Sequence, residues 1–227
     1  MEHLFESREE ASLAAAEHII AALSRRLQGE ARTTLVVAGG SSPALCYAEL
    51  AKAGLEWRRV QLLLSDERWV PPTHADSNEK MLRQALLTGP AAAASLLSLY
   101  SAADSVGTRS TALNKAIADL DLPFACVLLG MGDDGHIASL FPDADNLEAG
   151  MALDSATFFL PVTTAASPHR RISLTLAALT HSDVVILLFF GAAKRDIYER
   201  AKNNRTAYPV SRLLSQKRAP VHVFWAP

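Results

Sequence analysis

Apolar and polar positions follow two periods along this chain, one helical and one strand-like, and segments of the two kinds alternate. Ser7 followed by Glu10 is a capping-box signature, and Leu13, Ala16, Ile20, Leu23 and Leu27 recur at helical spacing until Gly29, which predicts a long amphipathic helix. Thr33 to Val37 reads as a first buried strand. It ends in Ala38-Gly39-Gly40-Ser41-Ser42-Pro43, after which Leu45, Ala48 and Leu50 predict a helix closing near Gly54, with Ser42 as its cap and Pro43 in its first position. A second strand, Val60 to Leu64, delivers a polar loop from Ser65 to Asn78. Helical spacing resumes with Met81, Leu82, Ala85 and Leu86, so Asp76 or Ser77 is expected to cap that helix.

Further on, Ala91 to Ala94 reads as a linker, Leu96 to Tyr100 as a short strand and about Thr108 to Leu120 as a helix. Pro123 then opens the apolar run from Phe124 to Leu129, a buried parallel strand that breaks abruptly into Gly130-Met-Gly-Asp-Asp-Gly-His136-Ile-Ala-Ser-Leu-Phe-Pro142. Asp143 to Ser155 has mixed charge and no period, and is expected to be a loop over the site; Phe158 to Val162 is expected to be a strand. Arg170 and Arg171 precede an alternating segment and a helical turn to about Leu179. Val184 to Phe190 is the most strand-like run of all, followed by Gly191-Ala-Ala-Lys194 at the start of a helix to about Lys202. Tyr208 to Leu214 predicts a short helix and Val221 to Trp225 an edge strand. Strand and helix alternate over the whole length, which predicts a single domain spanning residues 1–227. Its class is α/β, three-layer and Rossmann-like, with a mostly parallel sheet and helices on both faces.

Composition narrows the partners. A chain of 227 residues that is 49% hydrophobic can bury a sizeable core, and a net charge of -2 gives no global case for nucleic acid or an anionic membrane. Anion recognition must therefore be local, and the expected partner is a small molecule. The two cysteines, Cys46 and Cys126, lie in apolar contexts and suggest neither a metal cluster nor a disulfide framework. The amino terminus has no basic region followed by an apolar core, and the longest apolar run is far too short to span a bilayer. Cytoplasmic location is expected, as a monomer or a homodimer.

Candidate chemistry gathers at the strand ends. Gly130, Gly132 and Gly135 satisfy the G-x-G-x-x-G spacing of a dinucleotide-binding turn. However, Asp133 and Asp134 would lie where a pyrophosphate approaches, and Pro142 cuts short the following helix. The alternative is a working pair in which the carboxylate of Asp134 orients the imidazole of His136, the side-chain type that titrates near neutral pH. The turn Gly39 to Ser42 reads either as a phosphate cradle or as a tight turn with a serine cap, and it lacks the lysine and spacing of a Walker loop. Asp66, Glu67, Arg68, His74 and Asp76 concentrate charge beyond an apolar strand, either as a solvated loop or as part of a site. Lys194 is placed to meet an anion as a point charge, or to be an exposed first-turn lysine. His74, Asp76, Asp134 and His136 are metal-ligating types without a compelling ligand spacing.

Four of these segments, taken in order, resemble the glucosamine-6-phosphate isomerase and 6-phosphogluconolactonase family. They are Ala38-Gly-Gly-Ser-Ser-Pro43; Ser65-Asp-Glu-Arg-Trp-Val-Pro71 with His74-Ala-Asp-Ser-Asn78; Gly130 to Pro142; and Arg171-Ile-Ser-Leu-Thr175 with Gly191-Ala-Ala-Lys194. Ser42, Ile137 and Ser173 stand where the family often has threonine. The deaminating branch looks like Asp-Gly-His-x-x-x-x-Glu, and here the last position is Phe141. The resemblance therefore implies the lactonase branch: hydrolysis of a sugar-phosphate lactone, with no metal and no cofactor. It implies His136 as the base that activates water, with Asp134 as its orienting partner. A phosphate site from Gly39, Gly40, Ser41 and Ser42 with Arg68, Arg171 and Lys194 is implied too, with Asp66 on the sugar hydroxyls. A rival of another class, a non-catalytic sugar-phosphate sensor, would be expected to carry a nucleic-acid-reading segment, and no basic recognition helix is evident.

Overall fold

A computed structural model describes residues 1–204 and 208–227. The chain runs β1 (Glu2–Leu4), α1 (Arg8–Gly29), β2 (Thr33–Val37), α2 (Ala44–Leu50), β3 (Val60–Leu64), β4 (Asp66–Arg68), α3 (Asn78–Ala85), β5 (Ser95–Leu97) and α4 (Val106–Lys115). It continues through β6 (Cys126–Leu129), α5 (Leu147–Met151), β7 (Phe159–Val162), β8 (Arg171–Leu174), α6 (Leu176–Leu179), β9 (Val185–Phe190), α7 (Ala192–Asn203), α8 (Pro209–Ser215) and β10 (Val221–Ala226). Seven strands form one sheet in the order β1-β10-β9-β6-β2-β3-β5, and every pairing in it is parallel. The expected α/β architecture is what the chain adopts.

Parallel strands covered on both faces need mainly apolar side chains; β6 and β9 are apolar throughout, and β2 adds Leu35, Val36 and Val37 to two buried threonines. All five residues of β2 and all four of β6 are buried, as are five of the six in β9. Helix α1 lies against β2, β6, β9 and β10 through Ala11, Ala15, Ala16, Ile19, Ala22, Leu23 and Leu27. Alanines dominate that face, so the helix axis sits close to the sheet. Leu13, expected on the buried stripe, is 47% exposed; the small residues one position round the helix took the contact. Cys46 and Cys126 are buried free thiols in α2 and β6.

Several expectations are corrected. Pro43, not Ser42, is the cap residue of α2, with no side-chain bond at all, and the helix ends at Leu50 rather than near Gly54. The segment after Pro142 contains α5. The polar loop after β3 begins with a strand, β4, which joins β8 and β7 in a separate antiparallel sheet. That small sheet was not expected, because three charged residues carry no hydrophobic signal. Of the two candidate caps for α3, Ser77 accepts from Lys80 N at 3.2 Å.

The last strand, β10, is not an edge, since β1 pairs beside it from Glu2↔Val223 to Leu4↔Trp225. Glu2 anchors this added strand to α7 through Lys202 Nζ, Tyr198 Oη at 2.8 Å and Arg195 Nη2 at 3.2 Å. The bond from Lys202, opposed by partial burial and helped by Tyr198 and Arg195, holds the Glu2 carboxyl down at about 2 against an ordinary 4.5. A depressed carboxyl contributes stability above its ordinary value and loses it as pH falls towards the folded value. Thermal unfolding should therefore show Glu2→Gln about 2 °C below the wild type at pH 7, the gap narrowing from pH 4.5 downward. An equal gap at pH 7 and pH 3 would contradict this anchor.

Candidate active site

Chain order and strand order reverse between β2 and β6: β2 leads outward to β3 and β5, whereas β6 leads the other way to β9 and β10. Connections that diverge from adjacent carboxyl ends leave a crevice between them, which is where ligands enter open parallel sheets. A cleft of about 260 Å³ opens there. Its lining brings together Gly39, Gly40, Ser41, Ser42, Asp66, Arg68, His136, Arg171 and Lys194, from segments up to 155 residues apart in sequence (39 to 194).

At one end, the turn after β2 is fixed from behind. Tyr47, fully buried in α2, donates its hydroxyl to Ala38 O at 2.5 Å. Burial pushes that phenol far above its ordinary range, so it remains a donor. Gly39 has no room for a side chain, because a Cβ would fall 2.2 Å from Asn78 Oδ1. The hydroxyl of Ser42 makes no cap bond and stays with the cleft.

The next wall is the small sheet, where strand alternation sorts the charged residues. Asp66 and Arg68 point to the cleft, whereas Glu67 between them is 1% exposed and absent from its lining. Glu67 instead accepts from Arg68 N at 2.7 Å, Asn78 N at 2.8 Å, Glu79 N at 2.7 Å and Ser77 Oγ at 3.0 Å, tying β4 to the start of α3. Burial raises its pKa, and the bonds from Asn78, Glu79, Arg68 and Ser77 oppose that rise. Arg68 and Arg171 are direct cross-strand partners on β4 and β8. Arg68 is held by Asn78 Oδ1 and by Asp76 O at 3.1 Å. Arg171 lies 3.5 Å from Asp66 Oδ2, donates to Ser139 Oγ at 3.3 Å and to Ser167 Oγ at 3.1 Å, and keeps a buried Nε with no partner. Burial lowers its pKa first, opposed by Asp66 and reinforced by Arg68. Lys194, in the first turn of α7, completes the cationic side, 3.9 Å from Asp133 Oδ1.

At the other end, β6 runs into Gly130–His136. Asp134 Oδ1 faces His136 Nδ1 at 2.5 Å and accepts from His136 N at 3.0 Å. Burial works to raise the Asp134 pKa, but the side-chain and backbone bonds from His136 outweigh it and the carboxyl is held below its ordinary value. Gly132 has no room for a side chain, because a Cβ there would fall 2.2 Å from both Cε1 and Nδ1 of His136. Phe141 closes the ring's outer side, its centroid 4.1 Å from that of His136, and its face lies 5.1 Å beneath the Arg171 guanidinium. Ala138 lines the cleft with φ of 49°, a left-handed conformation that costs a non-glycine residue about 1 kcal/mol.

Among residues left without a role by the sequence, Asn78 joins the lining and Arg170 does not, facing instead a separate hollow beside Ser105, Asp145 and Asn146. Ser139 was missed: it donates to Asp66 Oδ2 at 2.5 Å and accepts from Arg171, bridging the two. Its signal was a lone polar residue in the apolar run Ile137 to Phe141. The expected role of Asp66 towards a ligand is shared with Ser65 and Ser139, which already donate to it. His74 and Asp76 lie near His169, not with Asp134 and His136 as one group.

A family model described as glucosamine-6-phosphate isomerases/6-phosphogluconolactonase matches residues 6–225. The chain is 40% identical over 226 residues to the 6-phosphogluconolactonase of Caulobacter vibrioides, covering 98% of this chain and 95% of that one. It is 37% identical over 214 residues to the Pseudomonas putida 6-phosphogluconolactonase, covering 93% and 85%. The crystal structure of a 6-phosphogluconolactonase from Shewanella baltica superposes with a TM-score of 0.95 at 28% identity, covering 100% of this chain and 97% of that one.

Removing the Glu67 carboxylate strands four donors that are buried or nearly so. Urea unfolding of Glu67→Ala should show a loss of about 3 kcal/mol; a change below about 1 kcal/mol would show that Glu67 does not organise this wall.

Proposed function

The chain belongs to the glucosamine-6-phosphate isomerase and 6-phosphogluconolactonase family, and from that footing we propose that it hydrolyses 6-phospho-D-glucono-1,5-lactone to 6-phosphogluconate in the cytoplasm. This is the hydrolytic step of the oxidative pentose phosphate pathway. Among the described residues, no helix is long and apolar enough to cross a membrane. The observation that carries the lactonase reading is the apolar packing of Phe141 on His136, at the position where the deaminating branch has an acid.

Opening a lactone requires water to lose a proton as its oxygen bonds to the carbonyl carbon, and the ring oxygen to gain one as its bond to that carbon breaks. An ionised carboxylate only accepts hydrogen bonds, so the His136 Nδ1 that faces Asp134 carries its hydrogen and Nε2 offers the lone pair. Nε2 takes the proton from water and returns it to the departing ring oxygen. Water and lactone are thereby converted into the hydroxy acid, and the imidazole ends as it began. Asp134 acts by orienting the ring and stabilising its charged form.

The cationic wall suits the phosphate. Two arginines held opposite each other repel when nothing lies between them, and a dianion reverses the sign of that interaction. Backbone N–H groups of the Gly39–Ser42 turn add donors without charge. Lys194 supplies a further point charge.

Hydrolysis of freshly generated 6-phosphogluconolactone should exceed the spontaneous rate with the wild type and fall by about 10²–10⁴-fold with His136→Ala. The wild type should release no ammonia from glucosamine 6-phosphate. A wild-type rate in His136→Ala would remove the imidazole from its role, and ammonia release without lactone hydrolysis would move the chain to the other branch.

A further inference from the structure

Outside the cleft lining, three imidazoles meet where β1 and α1 lie against β10. His3 is the middle residue of β1, His18 lies in α1, and His222 is the second residue of β10. One nitrogen of each ring lies within 4.8 Å of one nitrogen of each of the others. His3 Nε2 and His222 Nδ1 are 3.1 Å apart and share one hydrogen bond. Two nitrogens bound to one tetrahedral zinc at about 2.0–2.1 Å stand about 3.4 Å from each other. Small ring rotations are thus enough to exchange the shared proton for a metal ion.

His18 Nδ1 lies 3.1 Å from Ala14 O, and a carbonyl can only accept, so Nδ1 carries the hydrogen and Nε2 is the ligand atom. A second-shell carbonyl that fixes the tautomer and orientation is the usual companion of a metal-binding histidine. The floor of the cluster is apolar: Phe224 is fully buried, stacks on His3 at 4.6 Å and meets His18 edge-on at 5.0 Å.

We propose that His3, His18 and His222 form a binding site for a divalent transition metal of the zinc class, with water as the remaining ligand, which ties β1 and α1 to β10. Three neutral imidazoles with an open fourth position favour zinc, copper or nickel over magnesium or calcium. A second group, His74, Asp76 and His169, also has metal-ligating types, but Asp76 Oδ2 is already taken by His169 Nε2 at 3.0 Å, on an exposed loop.

The full chain, stripped with chelator and desalted, should be titrated with zinc chloride against a chromophoric zinc indicator at pH 7.5, with thermal unfolding in parallel. The expected result is one ion per chain with a Kd of about 1 μM or tighter, and an unfolding temperature that rises with added zinc. His18→Ala and His222→Ala should each weaken binding at least about 30-fold, because each removes one of three protein ligands. The double variant His74→Ala, His169→Ala should bind as the wild type does, and lactone hydrolysis by His18→Ala should be unchanged. No zinc bound by the wild type, or binding that survives His18→Ala and disappears with the His74, His169 double variant, would overturn the site. Zinc bound without any rise in unfolding temperature would overturn its role as a tie.

Discussion

Arg68 and Arg171 stand directly opposite each other on β4 and β8, in a register where like charges repel. Much of the surrounding structure can be understood as what that placement requires. Asp66, two residues before Arg68 and on the same face, lies 3.5 Å from Arg171 and is itself held by Ser65 and Ser139. Asn78 restrains Arg68 and also donates to Asp66 O at 2.9 Å, and it is so close to the turn after β2 that only glycine fits at position 39. Glu67, on the reverse face, fastens the strand to α3. Arg68 and Arg171 are therefore held by protein partners before any ligand arrives, as pre-organisation of the proposed anion site requires.

The His136 end of the cleft is organised by shape as much as by charge. His136 is confined by Asp134 at its Nδ1 edge, by Gly132 at a distance no side chain would permit, and by the Phe141 ring on its outer side. Phe141 also underlies Arg171. One aromatic ring thus contacts both His136 and Arg171, which fixes their spacing. An acid at that position would place a carboxylate against the imidazole in place of an apolar wall.

Legibility from sequence followed the range of the signal. β6 and β9 are continuous apolar runs, and β2 and β3 are apolar but for Thr33, Thr34 and Gln61, so all four were readable, as were α1 and α7 from their start signals. β1 has three residues, only His3 among them half-buried, and exists because β10 offers an edge to pair with. β4 is the more instructive omission. Its three charged residues read as a solvated loop or as part of a site, not as a strand, yet strand alternation decides that Asp66 and Arg68 line the cleft while Glu67 is buried behind it. That Gly39 to Ser42, Asp66, Arg68, His136, Arg171 and Lys194 would meet at one cleft was legible because strand ends and an in-order family resemblance mark them. Ser139 was not, since its role depends on Asp66 and Arg171, which lie 73 and 32 positions away.

The proposed function divides the cleft between a cationic wall for the phosphate and the His136 imidazole for hydrolysis, and the two can be separated with a pair of substrates. kcat/KM should be measured for 6-phosphogluconolactone and for glucono-1,5-lactone without its phosphate, in the wild type and in Arg68→Gln. The division predicts a loss of at least about tenfold on the phosphorylated lactone and no change on the unphosphorylated one, since the ligand contact proposed for Arg68 is to phosphate alone. An equal loss on both substrates would contradict it.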